Sequence, residues 1–274
     1  MTDKVIVITG ASDGIGAAAA RLLHAQGAQV VIVGRSPEKT EQVARALDAP
    51  YYLADFARLD DVRSLAARLQ SEVPRIDVLV NNAGGVMGKR QLTVDGNELT
   101  IQVNHLAPFL LTNLLLDTLL VSKARVIATS SIAVKGAGTL DLHDITLERD
   151  YTPQRAYGKA KLMNILFTKE LHTRFHPAGL EAAAFHPGIV RTSFSSEFGG
   201  GWSFVYSSFI KHFLRSPAKG AETMVWLATS MPEHDWKSGE FYKDKRPTRA
   251  TPQAYDATLA SDLWELSAKL TGLQ

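Results

Sequence analysis

The chain has 274 residues and not one cysteine. Disulfides, thiolate nucleophiles and Cys-ligated metals are therefore excluded, and the composition suits a reducing compartment without requiring one. Proline is scarce, at 11 residues, and no stretch has the polar, charge-rich composition of a disordered linker. Charge of either sign is nearly balanced, 30 Lys and Arg against 28 Asp and Glu, for a net charge of +2. No basic block or interleaved aromatic-basic stretch appears, so no nucleic-acid partner is expected. A long hydrophobic run is also missing. The most apolar stretch, 106–121, is interrupted by Pro108, Thr112, Asn113, Asp117 and Thr118, whereas a spanning helix needs about 20 mainly apolar residues. Met1-Thr2-Asp3-Lys4 runs straight into a strand-like segment with no signal-peptide core. The expectation is a cytoplasmic protein without an integral membrane segment.

Hydrophobic residues make up 45% of the chain, and their arrangement is informative. Short β-branched or apolar runs, Val5-Ile6-Val7-Ile8, Val30-Val31-Ile32-Val33, Tyr51-Tyr52-Leu53, Val78-Leu79-Val80, Arg125-Val126-Ile127-Ala128-Thr129 and 180–185, read as strands. They alternate with helical runs at 17–26, 38–47, 60–71, 106–120 and 157–175. Apolar strands separated by helices predict a parallel sheet covered on both faces, joined by right-handed crossovers. The fold class is α/β: one doubly wound parallel sheet with helices on both faces, a single domain over 1–274. In such sheets ligands gather at the carboxyl ends of the strands.

The first strand ends in Thr9-Gly10-Ala11-Ser12-Asp13-Gly14-Ile15-Gly16 and leads into a helix. Glycines allow a tight turn and close approach of a pyrophosphate, while a helix N-terminus offers unpaired N–H groups. The alternative is an ordinary glycine-rich turn; the strand-before, helix-after context favours nucleotide binding. Arg35 follows the second strand, where an acid would accept the ribose 2′-hydroxyl of NAD and an arginine can pair with the 2′-phosphate of NADP. NADP(H) is preferred, with NAD(H) as the alternative; Asp13 counts slightly against a nearby phosphate. Asp55-Phe56 ends the third strand, and Asp55 is read equally as an acceptor for an adenine amino group or as a helix cap. Asn81-Asn82-Ala83-Gly84-Gly85 ends the fourth, as a surface for the nucleotide or as a plain turn.

The strongest chemical signal is Tyr157-Gly158-Lys159-Ala160-Lys161. Residues i and i+4 share a helix face, so Tyr157 and Lys161 can address one reaction centre. A phenol titrates near about 10, and a neighbouring ammonium lowers that value toward useful acid-base chemistry. Such pairs also occur on helix surfaces by chance; Ser130-Ser131 at a strand end, able to bond a substrate oxygen, raises the functional reading.

Taken with Asn104 and His186-Pro187-Gly188, these motifs resemble the short-chain dehydrogenase/reductases nearly end to end. Asn82-Ala83-Gly84-Gly85-Val86-Met87, Val103-Asn104-His105-Leu106, Asn164-Ile165-Leu166-Phe167-Thr168 and Leu263-Trp264-Glu265-Leu266-Ser267 are similar to the retinol dehydrogenase-like branch. The resemblance implies a Rossmann-like fold and alcohol–carbonyl interconversion by hydride transfer. It implies Tyr157 as acid-base, Lys161 binding the nicotinamide ribose and lowering the tyrosine pKa, Ser131 orienting the carbonyl, and Asn104 supporting a proton path to Lys161. Cofactor contacts are implied at Gly10, Ser12, Asp13, Gly14, Ile15, Gly16, Arg35, Asp55, Phe56, Asn82, Ala83, Gly84, Tyr157, Lys161, Pro187, Gly188, Val190 and Thr192. Gly85 departs from the family pattern, and the N-terminal hydrophobic segment of membrane-anchored relatives is absent from this sequence.

Aromatics and glycines at 192–217 suit a cover over a small apolar carbonyl or alcohol substrate, against the alternatives of an interface or a lipid-surface contact. A homo-oligomer is left open. A non-catalytic NADP(H) sensor would be expected to have lost Tyr157 or Lys161, and protochlorophyllide reductases use a cysteine that is lacking here. His172 and His176 stand at i,i+4, yet no H-E-x-x-H accompanies them, and no metal site is expected.

Overall fold

The computed structural model describes residues 3–149, 151–190 and 215–273. Among the described residues eight strands form one sheet in the order β3-β2-β1-β4-β5-β6-β7-β8. They are β1 Val5–Thr9, β2 Gln29–Gly34, β3 Tyr51–Leu53, β4 Val78–Asn81, β5 Arg125–Thr129, β6 Glu181–His186, β7 Glu240–Lys243 and β8 Arg246–Pro247. Neighbours pair in parallel except β8, a two-residue antiparallel edge on β7. The expected parallel sheet is thus present, extended by two strands that short, mixed-polarity segments did not signal.

Side chains alternate across the strands and feed the cores on both faces of the sheet. Ile6 and Ile8 of β1, Val30 and Ile32 of β2 and Val78 and Val80 of β4 face α1 Gly14–His24, α2 Pro37–Ala46 and, further along the chain, Pro217–Thr229. Val7, Val31, Val33 and Leu79 face the opposite layer, which includes α3 Leu59–Glu72. Local chemistry sets the helix starts. Ser36 caps α2, accepting a hydrogen bond from the Lys39 N–H, with Pro37 in the first turn, where a missing N–H costs nothing.

The helix expected at 106–120 starts earlier and is broken. A short α4 Leu99–Ile101 passes into a π-helical turn Gln102–Leu106, then α5 Ala107–Leu114, and Leu115 (φ −91°, ψ 2°) separates α6 Leu116–Val121. The long α7 Pro153–Phe175 is capped by Thr152 and carries the Tyr157/Lys161 face. It is followed by α8 Pro217–Thr229 and α9 Ala257–Leu270, the latter capped by Asp256. Among the described residues no helix is long and apolar enough to cross a membrane.

Candidate active site

The carboxyl ends of β1, β4 and β5 are tied together by small polar side chains. Thr9 Oγ1 donates to the Val80 carbonyl (3.1 Å) and accepts from the N–H groups of Asn82 and Ala83 (both 3.0 Å). Asn82 Nδ2 donates to the Thr9 carbonyl at 3.0 Å, and Thr129 Oγ1 donates to Asn82 Oδ1 at 3.2 Å. Gly10 (φ +64°) lies against this turn so closely that a Cβ would sit 2.8 Å from Ala83 Cα. The glycine loop and the Asn82–Gly84 turn therefore form one backbone-walled floor. Thr9 organises it, a role the sequence signalled only as the first residue of the loop.

At the loop's end Asp13 caps α1, accepting from the Gly14 N–H at 2.6 Å, and its second oxygen pairs with Lys39 Nζ at 3.0 Å. The first intrahelical bond runs from the Ala17 N–H to the Asp13 carbonyl, so the N–H groups of Ile15 and Gly16 precede the helical ladder. The objection that Asp13 would repel a phosphate is weakened, because Lys39 offsets its charge. Lys39 was not singled out by sequence; a base in the first turn of the helix after Arg35 was the signal available. Arg35 itself is exposed, one residue beyond Gly34, which packs against Ser12. A groove of 320 Å³ beside this corner is lined by Ser12, Asp13, Gly14, Lys39, Gln42 and Pro217.

Asp55 serves a turn: its Oδ1 accepts from the Ala57 N–H at 3.0 Å. The helix-capping alternative does not hold, since α3 begins after Arg58, which makes no side-chain cap. The Phe56 ring is buried in the core, which leaves its backbone as the part facing Gln102.

Around Tyr157 the elements converge. Ser130 Oγ donates to the Lys161 carbonyl at 2.7 Å and is buried. Ser131 is the serine that reaches Tyr157, to which it is hydrogen-bonded, while its Oγ accepts from the Ala133 N–H at 3.1 Å. Lys161 Nζ lies 5.4 Å from the centre of the Tyr157 ring. Asn104, in the π-helical turn, grips Gly85 with both ends of its amide: Oδ1 accepts from the Gly85 N–H (3.0 Å) and Nδ2 donates to the Gly85 carbonyl (2.7 Å). The extra glycine of this sequence thus sits in a two-bond clasp. A Cβ on Gly84 would strike Asn104 Oδ1 and lie 3.2 Å from Lys161 Nζ. Asn104, Gly84 and Lys161 are immediate neighbours.

The charge balance of this group differs from the sequence expectation. Burial pushes the Tyr157 phenol up to about 12, and the Ser131 hydrogen bond offsets only part of that. Burial also pushes Lys161 down to about 7. The physical reason is shared: the desolvation that disfavours phenolate also disfavours the ammonium meant to stabilise it.

Beneath the site, His105 joins Asn164 of α7 (3.3 Å) and Ser267 of α9 (3.0 Å), among Phe109, Phe167 and Trp264. Asn164 Nδ2 donates to the Thr129 carbonyl at 3.2 Å. These side chains, prominent in the sequence resemblance, fasten α7, α9 and the Asn104 turn to one another.

Pro187, Gly188 and Val190 come directly after β6. Val190 lies against Gly220 of α8, as does Ile15. Val190 and Arg215 form a bridge, the Arg215 side chain lies against Gly188, and its guanidinium pairs with Asp244 (3.0 Å from Nη2). The sequence reading did not single out Arg215 or Asp244. Thr192 and nearly all of the expected cover at 192–217 lie outside the described residues.

A family model for short chain dehydrogenases matches residues 4–200. The chain belongs to the short-chain dehydrogenase/reductase family. A Streptomyces sp. (strain C5) protein with the provisional name daunorubicin C-13 ketoreductase is 43% identical over 278 residues, covering 98% of this chain and 93% of that protein. Human retinol dehydrogenase 14 is 34% identical over 296 residues, covering 100% and 88%. These relatives place the chain in the retinol dehydrogenase-like branch, and make it an oxidoreductase acting on CH–OH or C=O groups. An uncharacterized protein from Mycobacterium paratuberculosis has the same fold, with a TM-score of 0.80, 33% identity, and coverage of 99% of this chain and 94% of that one. A Shigella flexneri short chain dehydrogenase complexed with NADP superposes with a TM-score of 0.68 at 26% identity, covering 88% and 96%. The family works with NAD(P)(H), and a dinucleotide fits the residues present: a floor too tight for any Cβ at Gly10, first-turn N–H groups at Ile15 and Gly16, and Lys39 in the groove that Ser12 lines.

Proposed function

We propose that this short-chain dehydrogenase/reductase interconverts an alcohol and a carbonyl on a lipophilic substrate with NADP(H), using Tyr157 as its acid-base. The observation that carries this reading is the Ser131–Tyr157 hydrogen bond with Lys161 Nζ 5.4 Å from the same ring, beside Gly84. The nicotinamide, when bound, supplies or takes up the hydride. In reduction, Tyr157 gives its phenolic proton to the carbonyl oxygen as that oxygen gains negative charge. Ser131, already cradled by the Ala133 N–H, turns its hydroxyl proton to the same oxygen. Lys161 would hold the cofactor ribose and, when charged, stabilises the phenolate left behind. Asn104 clasps the Gly85 backbone beside Lys161 and supports its proton supply.

The 2′-phosphate of NADP would be held by Arg35, with Lys39 neutralising Asp13. The NADP complex of the Shigella relative is consistent with this preference. The names of the relatives point to a bulky ketone in one case and to retinol in others, in keeping with a lipophilic substrate. Pro187, Gly188, Val190 and Thr192 would flank the nicotinamide, and 192–217 would cover the substrate.

A panel of carbonyls and alcohols of increasing size, monitored by NADPH absorbance, tests the reading. Tyr157→Phe is expected to lower kcat by about 10²–10⁴ while leaving NADPH binding intact. Full turnover by that variant on every substrate would overturn the assignment. Arg35→Ala should raise KM for NADPH and leave NADH little changed; equal loss with both refutes its role at the phosphate.

A further inference from the structure

Far from Tyr157, at the opposite, amino end of the strands, the fold brings together four side chains that the family chemistry does not use. His172 and His176 end α7, Glu181 opens β6, and Glu233 lies in the segment between α8 and β7. Glu181 and His186, at the catalytic end, are the two ends of β6, roughly 17 Å of extended chain apart.

We propose that His176, Glu181 and Glu233 form a binding site for zinc that staples these three parts of the chain. Nδ1 of His176 and Oε2 of Glu181 stand 3.3 Å apart. Two ligands of one tetrahedral zinc with bonds of 2.0–2.1 Å lie about 3.3–3.4 Å apart. One ligand atom from each of the three residues lies within 4.8 Å of the others. The wider separations close by rotation of Glu233, the exposed member of the set. Its Oε1 accepts from the Ser238 N–H at 2.9 Å, which holds the carboxylate near the site and leaves a second oxygen for a metal.

His176 Nδ1 and Glu181 Oε2 stand at ion-pair distance, but the hydrogen bonding around them is incomplete. His176 Nδ1 and Glu181 Oε2 are both buried atoms, yet neither makes a hydrogen bond among the described residues. A plain His–Glu pair would be expected to bring donor and acceptor into line, since buried polar atoms left unmet are costly. The His172 ring stacks on His176 with centroids 4.5 Å apart, and its Nδ1 is likewise buried without a hydrogen bond. Imidazole with carboxylate oxygens is a ligand set that zinc accepts readily, and water completes the fourth position. Spacing within α7 alone argued against a metal; Glu181 and Glu233, distant in sequence, supply what an H-E-x-x-H helix would otherwise provide.

The test uses the full chain, stripped of metal with a chelator and titrated with zinc chloride by calorimetry. One equivalent should bind. His176→Ala and Glu181→Gln should each weaken binding by more than the roughly 10–100-fold that loss of an outer-shell partner costs. At zinc a hundred-fold above its dissociation constant the Tm of the wild-type chain should rise by roughly 5–10 °C. Glu233→Gln, at an exposed position, guards against failure to fold: it should keep NADPH-dependent turnover and lose most of the zinc-induced rise in Tm. A control, His143→Ala, should bind zinc as the wild type does. Absence of both the heat and the Tm shift overturns the proposal, as does zinc binding that survives unchanged in His176→Ala and Glu181→Gln.

Discussion

Lys161 is held in the interior of the site. The Ser130 hydroxyl donates to its carbonyl, a side chain at Gly84 would crowd its ammonium, and burial brings its pKa down to about 7. Below pH 7 the folded protein must keep a charged ammonium away from water; the unfolded chain keeps its lysine protonated up to about 10.5. The cost to stability is therefore full at and below pH 7 and fades as pH rises toward 10.5. Lys161→Met is expected to be more stable than wild type at pH 7, by up to about 5 kcal/mol, with the difference shrinking steadily toward pH 10. Urea titrations across that range measure it. A difference independent of pH would mean the lysine is solvated in the folded state.

At the scale of elements, the π-helical turn and the His105 bridge decide where Asn104 points. A π turn inserts one residue into the helical ladder and shifts the register of the residues after it. Here it lets Asn104 face Gly85 while His105, next in sequence, faces α7 and α9. Burial drives His105 down to about 4, so it folds neutral. Its contribution is present above pH 6.5, where the unfolded histidine is neutral too, and is lost as pH falls from 6.5 toward 4. His105→Gln should flatten the decline in stability over that interval, by up to about 3 kcal/mol. The measurement is the slope of unfolding free energy against pH, which separates titration from any uniform packing loss.

For the whole molecule, the sheet is both core and chassis. Leu79 on the central strand β4 is fully buried, and its strand ends two residues later in the turn that floors the site. Leu79→Ala should cost about 2–5 kcal/mol from lost burial and the cavity left behind. Below the lowered Tm its kcat should stay within a few-fold of wild type, because the reacting groups hang from strand ends and α7 rather than from the cavity wall. Denaturant unfolding and turnover at low temperature would together check this, and a collapse of kcat at full folding would contradict it.

The sequence by itself determined the alternation of apolar strands and helices, because periodicity and capping are local. It also determined which residues could do the chemistry: Tyr157 and Lys161 are one helical turn apart, and Thr9 to Gly16 is a contiguous loop. Local rules equally named the two serines but could not choose between them on physics. The family resemblance pointed to Ser131, and tertiary packing supplies a physical reason for the preference, since Ser130 is committed to the Lys161 carbonyl and Ser131 reaches Tyr157. The resemblance named Asn104, but its partners, Gly85 and Thr100, were hidden because they are set by a helical irregularity with no simple sequence mark. Burial, a property of the folded interior, set the protonation of Tyr157 and Lys161 against the expectation drawn from their spacing. Tertiary structure alone also assembled His176, Glu181 and Glu233, because residues from a helix end, a strand start and a distant loop meet only when the sheet is built.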